Sequence, residues 1–243
     1  MLALIAGALA GAVTGILTTK LRIPALLAGI LTMIGLYSVN LHVMGKSNIG
    51  LLQDETVFTI LENSLGLSVA VSGLAVGLIF AALIAVILYW FFGTELGHSL
   101  RATGCNQAMA RANGINTATN KIIGFVVSNG IVALSGGLLA QYQGFADVNM
   151  GRGAIVIGLA AIIIGDVVFG KIFKNFALKL FGAVLGGVIY YIVISFVLWL
   201  GLPANDLKML TAAVVALFLG VPYWKGKIAE KRVKPAEEVK ADA

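Results

Sequence analysis

Arg101, Thr103, Cys105, Ala108, Met109, Arg111, Ala112 and Gly114 have types suited to gripping another protein surface, and none is arranged to make or break bonds. They lie in the segment GTELGHSLRATGCNQAMARANGINTATNK, residues 93–121. Cys105, Ala108, Met109 and Ala112 recur at i, i+3, i+4 and i+7, which predicts one face of a short helix. Thr103 is placed to cap its start. Gly114 is placed to end it in the left-handed conformation, with Ile115 supplying the accompanying hydrophobic contact. A helix of about ten residues is too short to be stable alone in water. Its stripe of small apolar side chains lets another backbone come close. Two partners fit that stripe: a groove in a separate protein, or this chain's own helix ends. A membrane surface fits poorly, because there is no bulky Leu or Phe face and no Lys-rich opposite face.

Other chemistries lack their residues. No GxxxxGK[ST] stretch occurs, so energy from ATP must come through a partner. No GxSxG nucleophile elbow occurs. His42 and His98 are far apart, with no Cys or His at ligand spacing, and no metal or other cofactor is expected. The single cysteine, Cys105, excludes an intrachain disulfide. Ser128, Asn129, Gln141 and Asp166 are polar groups within or bordering apolar stretches. Such groups are costly in hydrocarbon and face a cavity or a partner. Asn129 and Gln141 fit either hydrogen bonds between helices or a translocation pathway. Asp166, five residues before Lys171, fits a lysine pair, interfacial water or the same pathway. Asp54, Glu55 and Glu62 fit a solvated loop or a docking surface for an external solute-binding protein.

The elements that must position these residues are membrane spans. The chain has 243 residues, 59% hydrophobic and 12% charged, against roughly a quarter charged in soluble domains. About 20 apolar residues cross the hydrocarbon, and seven segments approach that: 1–19, 24–44, 68–92, 122–141, 153–170, 178–200 and 208–224. Asp166 interrupts the fifth, which reads as short, tilted or re-entrant. The expected fold is all-α, a polytopic helical bundle of about seven spans over residues 1–224, with a basic tail at 225–243. Fourteen of the 17 Lys and Arg residues fall in alternate gaps: Lys20 and Arg22, then Arg101, Arg111 and Lys121, then Lys171, Lys174 and Lys179, then six in the tail. Lys46, Arg152 and Lys208 occupy the other gaps. The basic gaps are expected to face the cytoplasm, with the N-terminus outside and the C-terminus inside a cell membrane. The net charge of +6 suits an anionic leaflet. Nucleic acid is not an expected partner, because no basic patch has interleaved aromatics for stacking.

Small residues predict where spans touch. Gly7, Gly11 and Gly15 recur every four residues, as do Gly73 and Gly77, and Gly182 and Gly186. Without Cβ atoms, two helix backbones can approach closely in lipid. GALAG followed by LRIPA also has an echo in GAVLG followed by LGLPA. That arrangement suits an inverted repeat or arises by chance.

The loop at 93–121, followed by SNGIVALSGGLLAQYQGF at 128–145 and ADVNMGRGAIVIGLAAIIIGDVVFG at 146–170, resembles the permease subunits of binding-protein-dependent ABC importers. The resemblance is nearest to the branched-chain amino acid and ribose type, and within it to permeases grouped with proposed tryptophan or tyrosine uptake systems. It covers nearly the whole chain and is specific from about 93 to 170. It implies that the run from Arg101 to Gly114 is a coupling helix seated in a groove of a separate ATPase. It also implies an external binding protein, a second permease copy and transport of a small polar solute, an amino acid in particular. Two departures accompany it. Permeases of this group have further hydrophobic segments before the position where this chain starts, and the Glu-Ala-Ala loop signature of other ABC permeases is degenerate here.

Three functions compete: an ATP-driven importer subunit without catalysis of its own, an ion-coupled secondary transporter, and a non-transporting scaffold whose loop recruits a cytosolic partner. The scarcity of acidic residues at mid-membrane counts against proton coupling.

Overall fold

Two physical demands shape the elements: every backbone polar group in hydrocarbon must be bonded internally, and helices in lipid gain little from burying apolar side chains against each other. The computed structural model describes residues 1–51, 55–66, 68–151, 154–170, 172, 175–200 and the isolated positions 209, 212, 213, 216 and 220. Nearly all of the expected 208–224 span, and the 225–243 tail, lie outside the described residues. So do Asp54, Arg152, Lys171 and Lys208. In order, the elements are α1 (Leu2–Thr19), α2 (Ala25–Met44), β1 (Asn48–Gly50), α3 (Val57–Leu65), α4 (Val69–Phe92), α5 (Glu95–Cys105), α6 (Gln107–Ala112), α7 (Thr117–Gln143), β2 (Phe145–Asp147), α8 (Ala154–Phe169) and α9 (Phe176–Trp199). Among the described residues, five helices are long and apolar enough to cross a membrane: α1, α2, α4, α7 and α9. The 16 residues of α8 rise only about 24 Å, short of the roughly 30 Å of hydrocarbon. The span expected at 153–170 is thus a short apolar helix. Large apolar side chains such as Leu74, Val86 and Val132 are exposed, as a lipid-facing surface requires.

The chain divides into two compact units, Met1–Gly151 and Arg152–Ala243. In the first, α1 runs antiparallel to α7 and their backbones touch. A Cβ on Gly7 would strike Asn129 and Ala133 of α7, one on Gly11 the Phe125 carbonyl, and one on Gly15 the Ile122 Cα. Flanking the glycine strip of α1, the Thr14 hydroxyl lies 2.8 Å from that of Thr32 on α2. The Thr32 hydroxyl donates back to the Ala28 carbonyl, so the pair is satisfied without water. On α4, Gly73 lies against the Tyr142 ring. Gly77 has nothing within 4 Å, so the expected packing stripe of this helix is used at only one of its two positions.

The antiparallel arrangement gives this unit two chemically different ends. Lys20 and Arg22 follow α1, and Arg101, Arg111 and Lys121 lie on α5, on α6 and near the start of α7, all at one end. Glu55, Glu62 and Asp147 lie at the other end, with Lys46. There β1 pairs antiparallel with β2, Ile49 opposite Ala146. This ribbon is an addition to the all-α expectation. Three residues per strand are too few for an alternating pattern to show in the sequence. The described residues 55–66 of the 45–67 gap also form a capped helix with contacts to α4 and α7. Thr56 caps α3 in a capping box with Thr59, Phe58 is buried against the Tyr142 ring at 5.5 Å, and Glu62 accepts a hydrogen bond from the buried Ser72 hydroxyl at 3.0 Å.

In the second unit α8 packs on α9, again by close backbone approach. A Cβ on Gly165 would meet the Gly182 carbonyl, and one on Gly186 the Ala161 carbonyl and the Gly165 amide. Ala160, Ile164 and Tyr190 form its buried core.

Substituting Gly11→Ala should therefore lower the thermal stability of the detergent-solubilised chain by about 1–3 kcal/mol, as expected for overpacking. Gly35→Ala, in α2 where nothing lies within 4 Å, should leave it unchanged or raise it. Equal melting temperatures for the two variants would contradict the α1–α7 seam.

Candidate functional site

The segment between α4 and α7 folds as two helices, where the sequence suggests one. Thr94 starts α5, accepting from the Gly97 amide at 3.3 Å. Asn106 then leaves the helical conformation, with φ −153° and ψ 105°. Its Oδ1 accepts from the amides of Ala108 at 3.0 Å and Met109 at 3.1 Å. Asn side chains compete for backbone donors in this way, which suits caps better than helix interiors. The start of α6 is thus capped by Asn106. Thr103 is not a cap: it is buried in the last turn of α5 and donates to the Ser99 carbonyl at 2.8 Å. The expected stripe is divided accordingly. Cys105 ends α5, while Ala108, Met109 and Ala112 belong to α6. All four are exposed, Met109 by 57%. The inward side of α6 is Ala110, at 1% exposure. The end of α6 follows the sequence expectation. Gly114 has φ +78°, and the Ile115 amide reaches back to the Ala110 carbonyl at 3.0 Å, as in a Schellman turn.

A buried polar cluster ties this segment to the membrane helix. Asn120, near the start of α7, donates from Nδ2 to Thr103 Oγ1 at 3.0 Å and to Ser99 Oγ at 3.1 Å. Arg111 donates from Nε to Thr117 Oγ1 at 2.9 Å, which links α6 to the first turn of α7. Asn116 caps α7 by accepting from the Ala118 and Thr119 amides. The helix therefore begins five residues before the expected span at 122. Asn120 and Ser99 are the positions that sequence reasoning missed. Ser99 and Thr103 stand four apart on one face of α5, which was a readable signal. Their partner, 17 and 21 residues onward, was not.

Of the four polar residues assigned to a pathway, Ser128, Asn129 and Gln141 lie in the first unit and Asp166 in the second. Asn129 Nδ2 donates to the Phe125 carbonyl of its own helix at 2.9 Å, so it makes no bond between helices, and its backbone lies in the α1–α7 seam. Ser128 is exposed and also bonds back to Phe125. Gln141, twelve residues and about 18 Å further along α7, accepts from the Val57 amide of α3 at 3.2 Å and so joins two helices. Asp166 belongs to the second unit, where it and Lys179 line a cleft of about 310 Å³ between α8 and α9. Among the described residues no three His, Cys, Asp or Glu side chains gather as a metal site would need.

Replacing Asn120 with Leu should loosen α5 from α7 without stranding Ser99 or Thr103, which keep bonds within α5. Two lost bonds at about 1 kcal/mol each should speed hydrogen exchange of α5 amides by roughly tenfold or more. Unchanged exchange would show that the cluster does not hold the segment.

Comparison with known proteins places the chain. Residues 1–220 match the family model described as branched-chain amino acid transport system / permease component. A tyrosine transport system permease protein of Clostridioides difficile (strain R20291) is 42% identical over 219 residues, covering 90% of this chain and 70% of the relative. An uncharacterised protein of Rickettsia prowazekii (strain Madrid E) is 36% identical over 219 residues, covering 89% and 76%. The autoinducer 2 import system permease protein LsrC of Yersinia pseudotuberculosis serotype O:1b (strain IP 31758) is 31% identical over 231 residues, covering 94% of this chain and 61% of the relative. No solved structure gives a significant match. With its membrane-length helices, the chain belongs to the branched-chain amino acid transport system permease family and is a multi-pass membrane subunit of an ABC-type importer, not an enzyme.

Proposed function

We propose that this subunit moves an amino acid, an aromatic one in the first instance, inward across the cell membrane. An external binding protein delivers the solute, and two copies of the chain form the pathway. A cytoplasmic ATPase grips the Arg101–Gly114 segment of each copy, and the C-terminus lies on the same side. The observation that carries this reading is the exposed apolar stripe of Ala108, Met109 and Ala112, on a six-residue helix hydrogen-bonded to the start of a membrane span. A helix that short is held by its surroundings, so a push on α6 reaches α7 through Arg111–Thr117, and through α5 and the Asn120 cluster. The basic end that carries α6 is the cytoplasmic one by the positive-inside rule. The aromatic solute is suggested by the tyrosine permease relative. Ser128 and Asn129 on α7 supply polar groups at mid-membrane for the pathway, with Gln141 at its outer end and Asp166 in the second unit.

Met109→Asp puts a charge on the stripe and should abolish ATP-dependent uptake while leaving membrane insertion intact, because desolvating a lone carboxylate in an apolar groove is costly. Normal uptake by that variant would overturn the coupling role. Uptake that survives ATP depletion and collapses with an uncoupler would instead identify an ion-coupled transporter.

Cys105, exposed at the end of α5, offers a direct contact test. A membrane-impermeant maleimide should label it in inside-out vesicles, and the assembled ATPase should protect it. Full labelling in both states would place the ATPase elsewhere.

A further inference from the structure

We propose that the basic end of the first unit holds the phosphate headgroup of an anionic phospholipid. The turn between α1 and α2 and the turn between α6 and α7 line an open cleft of about 860 Å³. Arg22, Arg111 and Lys121 line it, together with Thr18, Thr19 and Thr117. Among the described residues no carboxylate lines it. Arg111 uses one N–H on Thr117, which leaves the other donors of its guanidinium fork for a ligand. Three cations on one cleft, with no carboxylate among its described lining residues, make it locally positive, and guanidinium groups match phosphate oxygens in pairs.

Position selects a lipid over a free anion. The cavity lies where α1 ends, α2 begins and α7 begins, and all three are membrane-length helices. Such an end sits at the boundary between hydrocarbon and water. Ile23, Pro24 and Ala25 form an apolar side of the same cavity, suited to the glycerol and upper acyl carbons below a headgroup. Basic pockets between membrane helices on the cytoplasmic side are the usual receptors for anionic headgroups. This inference does not depend on the ATPase contact, because the exposed stripe of α6 and the Arg111–Thr117 side of that helix are separate surfaces.

The test is a binding titration of the full chain in neutral detergent, with soluble dihexanoyl phosphatidylglycerol, dihexanoyl phosphatidylcholine and sodium phosphate as separate probes. The glycerol lipid should bind, the choline lipid should bind far more weakly, and 0.5 M NaCl should suppress the difference. The double variant Arg22→Gln/Lys121→Gln should weaken phosphatidylglycerol binding by roughly 30-fold, at about fivefold for each basic residue. Lys46→Gln, at the opposite end, should leave it unchanged. Equal affinity for the two lipids, or unchanged affinity in the double variant, would overturn the site. Saturation by sodium phosphate at the lipid's own affinity would assign it to a free anion and overturn the lipid. The salt dependence of the unsubstituted chain tests the same point without relying on the variant's folding.

Discussion

Contact between the backbones of α1 and α7 is the constraint from which the first unit follows. In lipid, two apolar helices gain no hydrophobic free energy by meeting, because the acyl chains they leave are as apolar as their own side chains. What remains is dispersion, which falls steeply with distance. Gly7, Gly11 and Gly15 stand four apart, so one strip of α1 lacks side chains over three turns, and α7 presses its own backbone at Asn129, Phe125 and Ile122 into that strip. Because the pair is antiparallel, it decides which loops become neighbours. The end of α1 meets the start of α7, which brings Arg22 beside Arg111 and Lys121. At the far end the pair sets β1 against β2.

The α4–α7 segment uses the opposite chemistry for the same purpose. Its helices are too short and too polar to be fixed by dispersion. Asn120, Thr103 and Ser99 fix them instead, in a buried cluster whose bonds are stronger for being shielded from water. Directional bonds hold α5 at one register, whereas a smooth apolar contact would tolerate sliding. The coupling role proposed for this segment would benefit from that difference. The exposed apolar side chains of α6 are small except for Met109, and a methionine adapts its shape to a facing groove.

Five of the seven expected spans and two of the three glycine stripes were legible because they rest on patterns that survive any tertiary context: about 20 uncharged residues, and small residues four apart. Gly77 shows the limit, since its spacing matches Gly73 but α4 presents it to open space. The break at Asn106 was hidden for a different reason. An Asn between two helical runs can lie within a helix or cap the next one, and its neighbours are consistent with both. The small-residue period running through it made a single helix the simpler reading. Asn129 was left open between a bond to another helix and a pathway role because a polar side chain in an apolar span has several solutions; its Nδ2 takes a local one, its own Phe125 carbonyl. The family resemblance pointed to the run from Arg101 to Gly114 as the proposed coupling segment, but the Asn120 partnership joins residues 17 and 21 apart and only folding brings them together.

The basic residues at one end of the first unit serve two separable physical roles. Orientation during insertion depends on their number in the short loops and not on their geometry, so Lys20, Arg22, Arg101, Arg111 and Lys121 count alike. A binding cavity depends on convergence. Arg22 has φ +54°, a left-handed conformation that costs a non-glycine residue about 1–2 kcal/mol. An orientation signal alone has no use for that turn, since an extended linker would carry the same charge. The turn brings the chain from α1 into α2 with Arg22 lining the same cleft as Arg111 and Lys121. Arg101 contributes to the count of charges but is absent from the wall. Geometry therefore sorts residues that charge alone leaves equivalent.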